Sequence, residues 1–195
     1  MSMFEIVFSP TGGTEKVSGL VTGALDGNIV TVDLSDSGLD FHGVSMAKGD
    51  VAVISVPSYA GRVPAVAVER LGMVRGNGAR AVLVCVYGGR AFEDTLIELE
   101  DVAKRAGFRV VAAVSAIAEH SVARQFAAGR PDAQDVAQLS EFAQRIRQKL
   151  LDGAASEPSI PGNRPYKQAG GHSMVPHATE DCVSCGACAA LCPVR

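Results

Sequence analysis

The chain of 195 residues carries a formal net charge of −3, and 47% of its residues are apolar, with few aromatic side chains and no tryptophan. This charge excludes the strongly basic surface of a nucleic-acid-binding protein, and no run of about 18 apolar residues is present to span a membrane. The opening residues, MSMFEIVFSP, have neither a basic segment nor a long apolar run, so we expect no signal peptide and a cytoplasmic protein.

Five short segments rich in β-branched residues predict strands, and helical patterns alternate with them. The strands are expected at 4–9, 28–34, 50–58, 80–87 and 109–117. The third and fourth are almost uninterrupted apolar runs, which is typical of strands buried on both faces. A β-α unit repeated five times predicts an open parallel sheet with helices on both faces.

Helical apolar spacing is clear after the first, third, fourth and fifth strands. In the helix after the fourth strand, we expect Glu93 and Asp94 in the first turn and Gly107 just past the end, which suits the helix dipole and the usual glycine stop. Segment 35–49, between the second and third strands, is poorly periodic, and only the β-α alternation predicts a helix there.

The loop after the first strand, FSPTGGTEKVS, is the first candidate for ligand binding, because ligands of open parallel sheets bind at the carboxyl ends of the strands. Its hydroxyl groups and glycines are Ser9, Thr11, Gly12, Gly13 and Thr14. Backbone N–H groups at a helix start suit a phosphate. The loop matches neither the Walker A pattern nor G-x-G-x-x-G. The alternative is a glycine-rich turn with a threonine N-cap.

The loops after the third and fourth strands, PSYAGRVP and VYGGRAF, each place a tyrosine beside glycine. Tyr59 and Tyr87 could flank a flat heteroaromatic ring, while the glycines let backbone groups reach the edges of that ring. Taken singly, a tyrosine at a strand end is often only a half-buried core residue. The two loops together with the first favour a ligand site at one edge of the sheet.

The motif SPTGGT resembles the [ST]-x-T-G-x-T phosphate loop of flavodoxins, and the next two loops fall where flavodoxins hold the isoalloxazine ring. The resemblance covers about residues 3–152 and implies a doubly wound flavodoxin fold, with strand order 2-1-3-4-5 and non-covalent FMN. It implies phosphate binding by Ser9, Thr11, Gly12, Gly13 and Thr14. It implies that one side of the flavin is lined by Ser58, Tyr59, Ala60 and Gly61, and the other by Tyr87, Gly88, Gly89 and Arg90.

The chain ends in a second motif, CVSCGACAALCPVR. The cysteines Cys182, Cys185, Cys188 and Cys192, followed by Pro193, have the C-x₂-C-x₂-C-x₃-C-P spacing of bacterial ferredoxins, and this resemblance implies ligands of a [4Fe–4S] cluster. Zinc sites usually use two cysteine pairs with a longer spacer, so zinc is the less favoured alternative, and binding of no metal is a third. The fifth cysteine, Cys85, lies alone in an apolar strand and is expected in the core.

Residues 154–177 are rich in proline and glycine and predict a linker between a domain at 1–153 and a ferredoxin segment at 178–195. The linker could be flexible, or Ile160 and Tyr166 could dock it on the domain. The whole order resembles the flavodoxin–ferredoxin fusion proteins known as EFR-type ferredoxins. In two-cluster ferredoxins the fourth cysteine ligates the other cluster, so we expect the natural protein to be longer.

These motifs favour an electron carrier that couples FMN to iron–sulfur clusters and docks a redox partner protein. Two alternatives stay open: an FMN-dependent reductase of a small molecule and a non-redox zinc-binding module. His120, after the fifth strand, could approach the flavin or a partner, or could be a solvated loop residue. The sequence leaves the oligomeric state open, and a homodimer is among the options.

Overall fold

A computed structural model gives the fold of the chain and describes residues 2–25, 27–153, 156–168 and 177–192. Its strands and helices, in chain order, are β1 (Met3–Val7), α1 (Gly13–Gly23), β2 (Ile29–Asp33), β3 (Val51–Pro57), α2 (Ala65–Met73), β4 (Arg80–Tyr87), α3 (Thr95–Arg105), β5 (Arg109–Ile117), α4 (Ala133–Leu151) and α5 (Ala187–Ala190). Pro193 of the predicted ferredoxin run, and parts of the predicted linker, lie outside the described residues.

The five strands form one parallel sheet in the order β2-β1-β3-β4-β5, which confirms the predicted order. The apolar runs of β3 and β4 lie at its centre, and Ile54 and Leu83 are completely buried. Because successive side chains of a strand point to opposite faces, both faces of these strands need a cover. None of the helices described is both long and apolar enough to cross a bilayer.

Two helices cover each face of the sheet. Helices α1 and α4 pack over one face through residues such as Val21 and Leu139, and α2 and α3 pack over the other through Leu71 and Leu99. The sheet therefore separates two hydrophobic cores, and the ends of its strands are left uncovered by the helices.

The helix predicted within 35–49 is wrong: the segment contains a single 3₁₀ turn, Phe41–Gly43. Its polar side chains stabilise turns instead, since Asp36 accepts the N–H of Gly38 and Asp40 accepts that of His42. Aspartate that bonds the backbone two residues on competes with helix formation. The segment is held to the core by the buried side chains of Phe41 and Met46.

The start predicted for α3 is also wrong, because the helix begins at Thr95 with Asp94 as its N-cap residue. Glu93 has a φ of 44°, in the left-handed region, so it cannot lie in the first turn. The predicted end is confirmed: Gly107 has a φ of 87° and donates its N–H to the carbonyl of Lys104.

Residues 156–168, which we call the strap, lie against α3, so this part of the predicted linker is docked. The guanidinium of Arg164 donates to Asp101 and Glu100, and the hydroxyl of Tyr166 donates to Asp101. Ile160 packs on the core beneath α2 and α3. The hydrogen bonds from Arg164, and to a smaller extent the one from Tyr166, lower the pKa of the Asp101 carboxyl.

Helix α4 begins with a reciprocal cap that can be tested by mutation. The Asp132 side chain accepts the N–H groups of Gln134 and Asp135, and the Asp135 side chain accepts the N–H of Asp132. We expect Asp132→Ala to lower the free energy of unfolding by about 1 kcal/mol, because it leaves N-terminal N–H groups without acceptors. Urea denaturation would measure this loss, and Gln134→Ala, which changes only an exposed side chain, should leave stability unchanged. Equal stability of the two variants would contradict the prediction.

Candidate functional site

A cavity of about 640 Å³ lies at the carboxyl edge of the sheet, within the size range of small-molecule sites. Four loops line it, with residues from segments 9–14, 57–60, 86–88 and 118–122. Each loop directly follows one of the strands β1, β3, β4 and β5. The cavity is therefore created by the common direction of the strands.

The loop at 9–14 presents free backbone donors at the start of α1. The hydroxyl of Ser9 accepts the N–H of Glu15 at 2.9 Å, which ties the loop to the first turn. Within the described part of the chain, the N–H groups of Gly13 and Thr14 have no hydrogen-bond partner. Gly12 precedes them with a φ of 81°, a conformation that favours glycine. These unpaired donors, at the positive end of a helix dipole, fit a phosphate.

The loop after β3 makes a tight turn that holds Tyr59 at the cavity. Tyr59 and Arg62 exchange two backbone hydrogen bonds of 3.0 Å each, and both Ala60 and Gly61 between them have positive φ values. Ser58 is fixed separately, since its hydroxyl lies 2.7 Å from that of Thr95. The Tyr59 side chain is 43% exposed, and its partial burial raises the pKa of the phenol. An aromatic face is thus available at the cavity mouth.

The loop after β4 forms another wall. The Tyr87 ring packs against Phe92 with ring centroids 5.6 Å apart. A Cβ at Gly88 would lie 2.7 Å from Cδ2 of His120 and 2.9 Å from its Cα, so only glycine allows this loop to pack on the loop after β5. The Arg90 side chain is directed elsewhere: it is largely exposed and pairs with Glu93 at 2.7 Å.

Nine of the thirteen cofactor-binding residues predicted from the sequence line the cavity: Ser9, Thr11, Gly13, Thr14, Ser58, Tyr59, Ala60, Tyr87 and Gly88. The other four, Gly12, Gly61, Gly89 and Arg90, do not. Gly12 borders an adjoining cavity of about 470 Å³, and Gly61 contacts Glu93 in the neighbouring loop.

The loop after β5 contributes cavity residues that the sequence interpretation did not assign, among them Glu119 and Val122. The rule that placed the other loops at this edge applies equally to β5 and would have found them. Arg124, and then the N–H of Gly129, lower the pKa of the Glu119 carboxyl. The side chains in this loop are therefore held by the loop itself.

His120, which the sequence left either as a flavin- or partner-facing residue or as a solvated loop residue, lies in the cavity wall. Its Nδ1 atom accepts the N–H groups of Val122 and Ala123 at 3.2 and 3.1 Å. An imidazole nitrogen that accepts carries no proton, so the hydrogen of the neutral ring is on Nε2. His120 therefore has one donor left for another group.

The described part of the cysteine tail, 177–192, does not form a ready metal site. No group of three or more His, Cys, Asp or Glu side chains in the described ranges is close enough to hold a metal ion. The thiols of Cys182, Cys185 and Cys188 are free and exposed. Gly186 has a φ of 77° at the start of the four-residue helix α5. The donor set suits a cluster by type and spacing, but the structure does not bring the four thiols together.

Cys85 occupies the core, as its apolar strand predicts. It is completely buried in β4, and burial raises the pKa of its thiol well above the ordinary value. Burial and a protonated thiol make it a packing residue.

Comparison with known proteins gives the fold class. No protein-family profile and no curated protein matches the chain. The structure is similar to Megasphaera elsdenii flavodoxin in the two-electron reduced state (16% identity, 73% of this chain and 98% of that one, TM-score 0.51). It is similar to Streptococcus pneumonia TIGR4 flavodoxin (20% identity, 76% of this chain and 99% of that one, TM-score 0.51). It is also similar to the apo form of the NADH:FMN oxidoreductase EMOB (14% identity, 76% of this chain and 89% of that one, TM-score 0.54). The chain has a flavodoxin-like α/β fold.

The close packing of Gly88 gives a testable difference between two glycines. We expect Gly88→Ala to destabilise the protein by about 1–3 kcal/mol, because the new methyl group meets the backbone of His120 and must displace it. Gly19→Ala, at an open position in α1, should instead stabilise by roughly 0.5–1 kcal/mol. Urea denaturation of both variants checks this, and a Gly88→Ala protein as stable as the wild type would contradict the packing described.

Proposed function

We propose that the chain is an electron-transfer flavoprotein that binds FMN non-covalently in the cavity at the carboxyl edge of the sheet. The observation that carries the proposal is that one cavity is lined both by Gly13 and Thr14, whose N–H groups have no hydrogen-bond partner in the described part of the chain, and by the aromatic side chains of Tyr59 and Tyr87. The first pair suits an anionic phosphate and the second suits a flat ring. When bound, FMN would supply one- or two-electron transfer.

The residues of the cavity would bind and orient the cofactor. Backbone and hydroxyl donors and the helix dipole would hold the phosphate; among the described residues the lining of this cavity contains no lysine or arginine, whereas Lys16, Arg124 and Arg130 line the adjoining cavity that Gly12 borders. Tyr59 and Tyr87 would exclude water from the ring, and the Nε2–H of His120 is a donor in the same wall. The half-open position of Tyr59 would leave one edge of the ring accessible to a redox partner protein.

The cysteine tail adds iron–sulfur chemistry to the proposal. Its support is the spacing of Cys182, Cys185, Cys188 and Cys192, which matches the ligands of [4Fe–4S] clusters. A cluster accepts one electron at a time, so a flavin and a cluster in one chain would convert a two-electron step into single-electron steps. Thiol ligands of this kind commonly assemble only when the metal binds.

The phosphate site can be tested with two isosteric substitutions. We expect Thr11→Val to raise the Kd for FMN about tenfold, as loss of one phosphate hydrogen bond of about 1.4 kcal/mol would do. Riboflavin lacks the phosphate, so its Kd should be the same for this variant and the wild type. Quenching of flavin fluorescence measures both affinities. Thr31→Val, at an exposed position of β2, is the matched control and should bind FMN normally.

A wild-type chain that does not bind FMN would overturn the proposal. Equal losses of FMN and riboflavin affinity in Thr11→Val would show that the loop does not hold the phosphate.

The tail can be tested by anaerobic reconstitution with iron and sulfide. We expect about four irons per chain, as one [4Fe–4S] cluster requires. Cys185→Ser should lose the iron, whereas Cys85→Ala, at a buried position away from the tail, should retain it. One zinc per chain, with neither iron nor flavin bound, would favour the zinc-binding module instead.

A further inference from the structure

The strap runs along α3 and reaches the two loops that carry the tyrosines of the cavity. Near its start, Glu157 pairs with Lys104 in the last turn of α3. At its other end, Asn163 and Lys167 contact Asp94, the residue just before α3. Since α3 follows the loop after β4, this second end lies beside the cavity loops, although no strap residue lines the cavity itself.

Asp94 is the main anchor of the strap. Its carboxylate accepts the N–H of Lys167 at 2.6 Å, the N–H of Asn163 at 2.8 Å and the side-chain amide of Asn163 at 3.1 Å. These bonds, led by that from Lys167, lower the pKa of the Asp94 carboxyl. A carboxylate that accepts three donors is a specific contact and holds the strap in register.

Arg62 ties the same strap residue to the loop after β3. Its Nη1 donates to the carbonyl of Lys167 at 2.7 Å, and its Nε and Nη2 donate to both oxygens of Glu98, also at 2.7 Å. The guanidinium also lies over the ring of Tyr166, 4.9 Å from the centroid. Arg62 closes the turn that presents Tyr59, so the position of this turn is coupled to the strap.

The two loops also contact each other under the strap. The N–H of Asp94 donates to the carbonyl of Gly61 at 3.1 Å, and a Cβ at Gly61 would lie 2.8 Å from the Cβ of Glu93. Glu93 in turn bridges Arg90 and the ammonium of Lys167. Lys167 thus contacts the loop after β3 through its carbonyl and the loop after β4 through its N–H and its ammonium group.

We propose that the strap is a positioning element for the cavity: residues 163–167 fix the turn at 59–62 against the loop at 88–94 and thereby set the affinity of the cavity for FMN. The inference rests on the proposed FMN binding for its effect on affinity, but not for its effect on the loops. The strap acts from outside the cavity, through Arg62, Glu93 and Asp94. It is a segment beyond the five β-α units.

The test uses the full chain and compares the two ends of the strap. The release variant Arg164→Ala/Tyr166→Leu removes the ion pairs to Asp101 and Glu100 and the ring under Arg62. The control Glu157→Ala removes the ion pair to Lys104 at the far end of α3. Hydrogen–deuterium exchange without FMN should show protection of the hydrogen-bonded amides of the two loops, Tyr59, Arg62 and Asp94, lowered at least about fivefold in the release variant only, with the amides of β3 and β4 unchanged.

The same proteins are then titrated with FMN. We expect the Kd to rise at least about fivefold in the release variant, which is about 1 kcal/mol, and to stay unchanged in Glu157→Ala. Tyr166→Phe keeps the ring under Arg62 and should bind FMN close to normally. A role confined to overall stability would change the exchange and the Kd of the release variant and of Glu157→Ala alike.

Each outcome decides the inference. Unchanged exchange of both loops in the release variant overturns it, as does an equal loss of protection in Glu157→Ala. If the wild type binds no FMN, the proposed function fails, and the exchange experiment still decides whether the strap positions the loops. If the release variant loses protection in β3 and β4 as well, Asn163→Ala, which removes a single side-chain donor to Asp94, replaces it under the same criteria.

Discussion

A parallel sheet places the carboxyl ends of all its strands at one edge, and the candidate site depends on that constraint. Loops after β1, β3, β4 and β5 meet there because the strands are parallel, and the connections through α1, α2 and α3 cover the faces that the apolar runs of β3 and β4 need buried. The helices bury the faces of the sheet but not its ends. Donors at Gly13 and Thr14 and the ring of Tyr59, which are distant in sequence, therefore border one cavity.

The strands and most of the cavity could be predicted because they follow from local patterns. A buried apolar run such as β4 has its bounds in the sequence, and the edge that binds ligands follows from strand direction. The start of α3 could not be predicted in this way. Glu93 and Asp94 are good first-turn residues, but their carboxylates bind Lys167, more than seventy positions later, and Glu93 adopts a left-handed backbone. Such long-range contacts override local preference.

The glycine-rich loop and the cysteine run differ in how far the folded structure positions their ligand-binding groups. The glycine-rich loop is held by its own strand and helix, so its N–H groups are already oriented towards the cavity edge. The cysteines lie in a segment with one four-residue helix, and the side chains of Cys182, Cys185 and Cys188 are exposed, so the protein supplies little to orient them. For such a segment the energy of thiolate–metal bonds can drive the folding itself.

The strap lies in sequence between the domain that forms the cavity and the cysteine tail. It ends at Gln168, next to the residue held by Arg62 and Asp94, and the tail resumes nine residues later at His177. A chain of nine residues spans at most about 30 Å, so His177 lies within about that distance of Gln168. Because Lys167 is held by Arg62 and Asp94, the start of the tail is tied to the end of the strap beside the cavity loops.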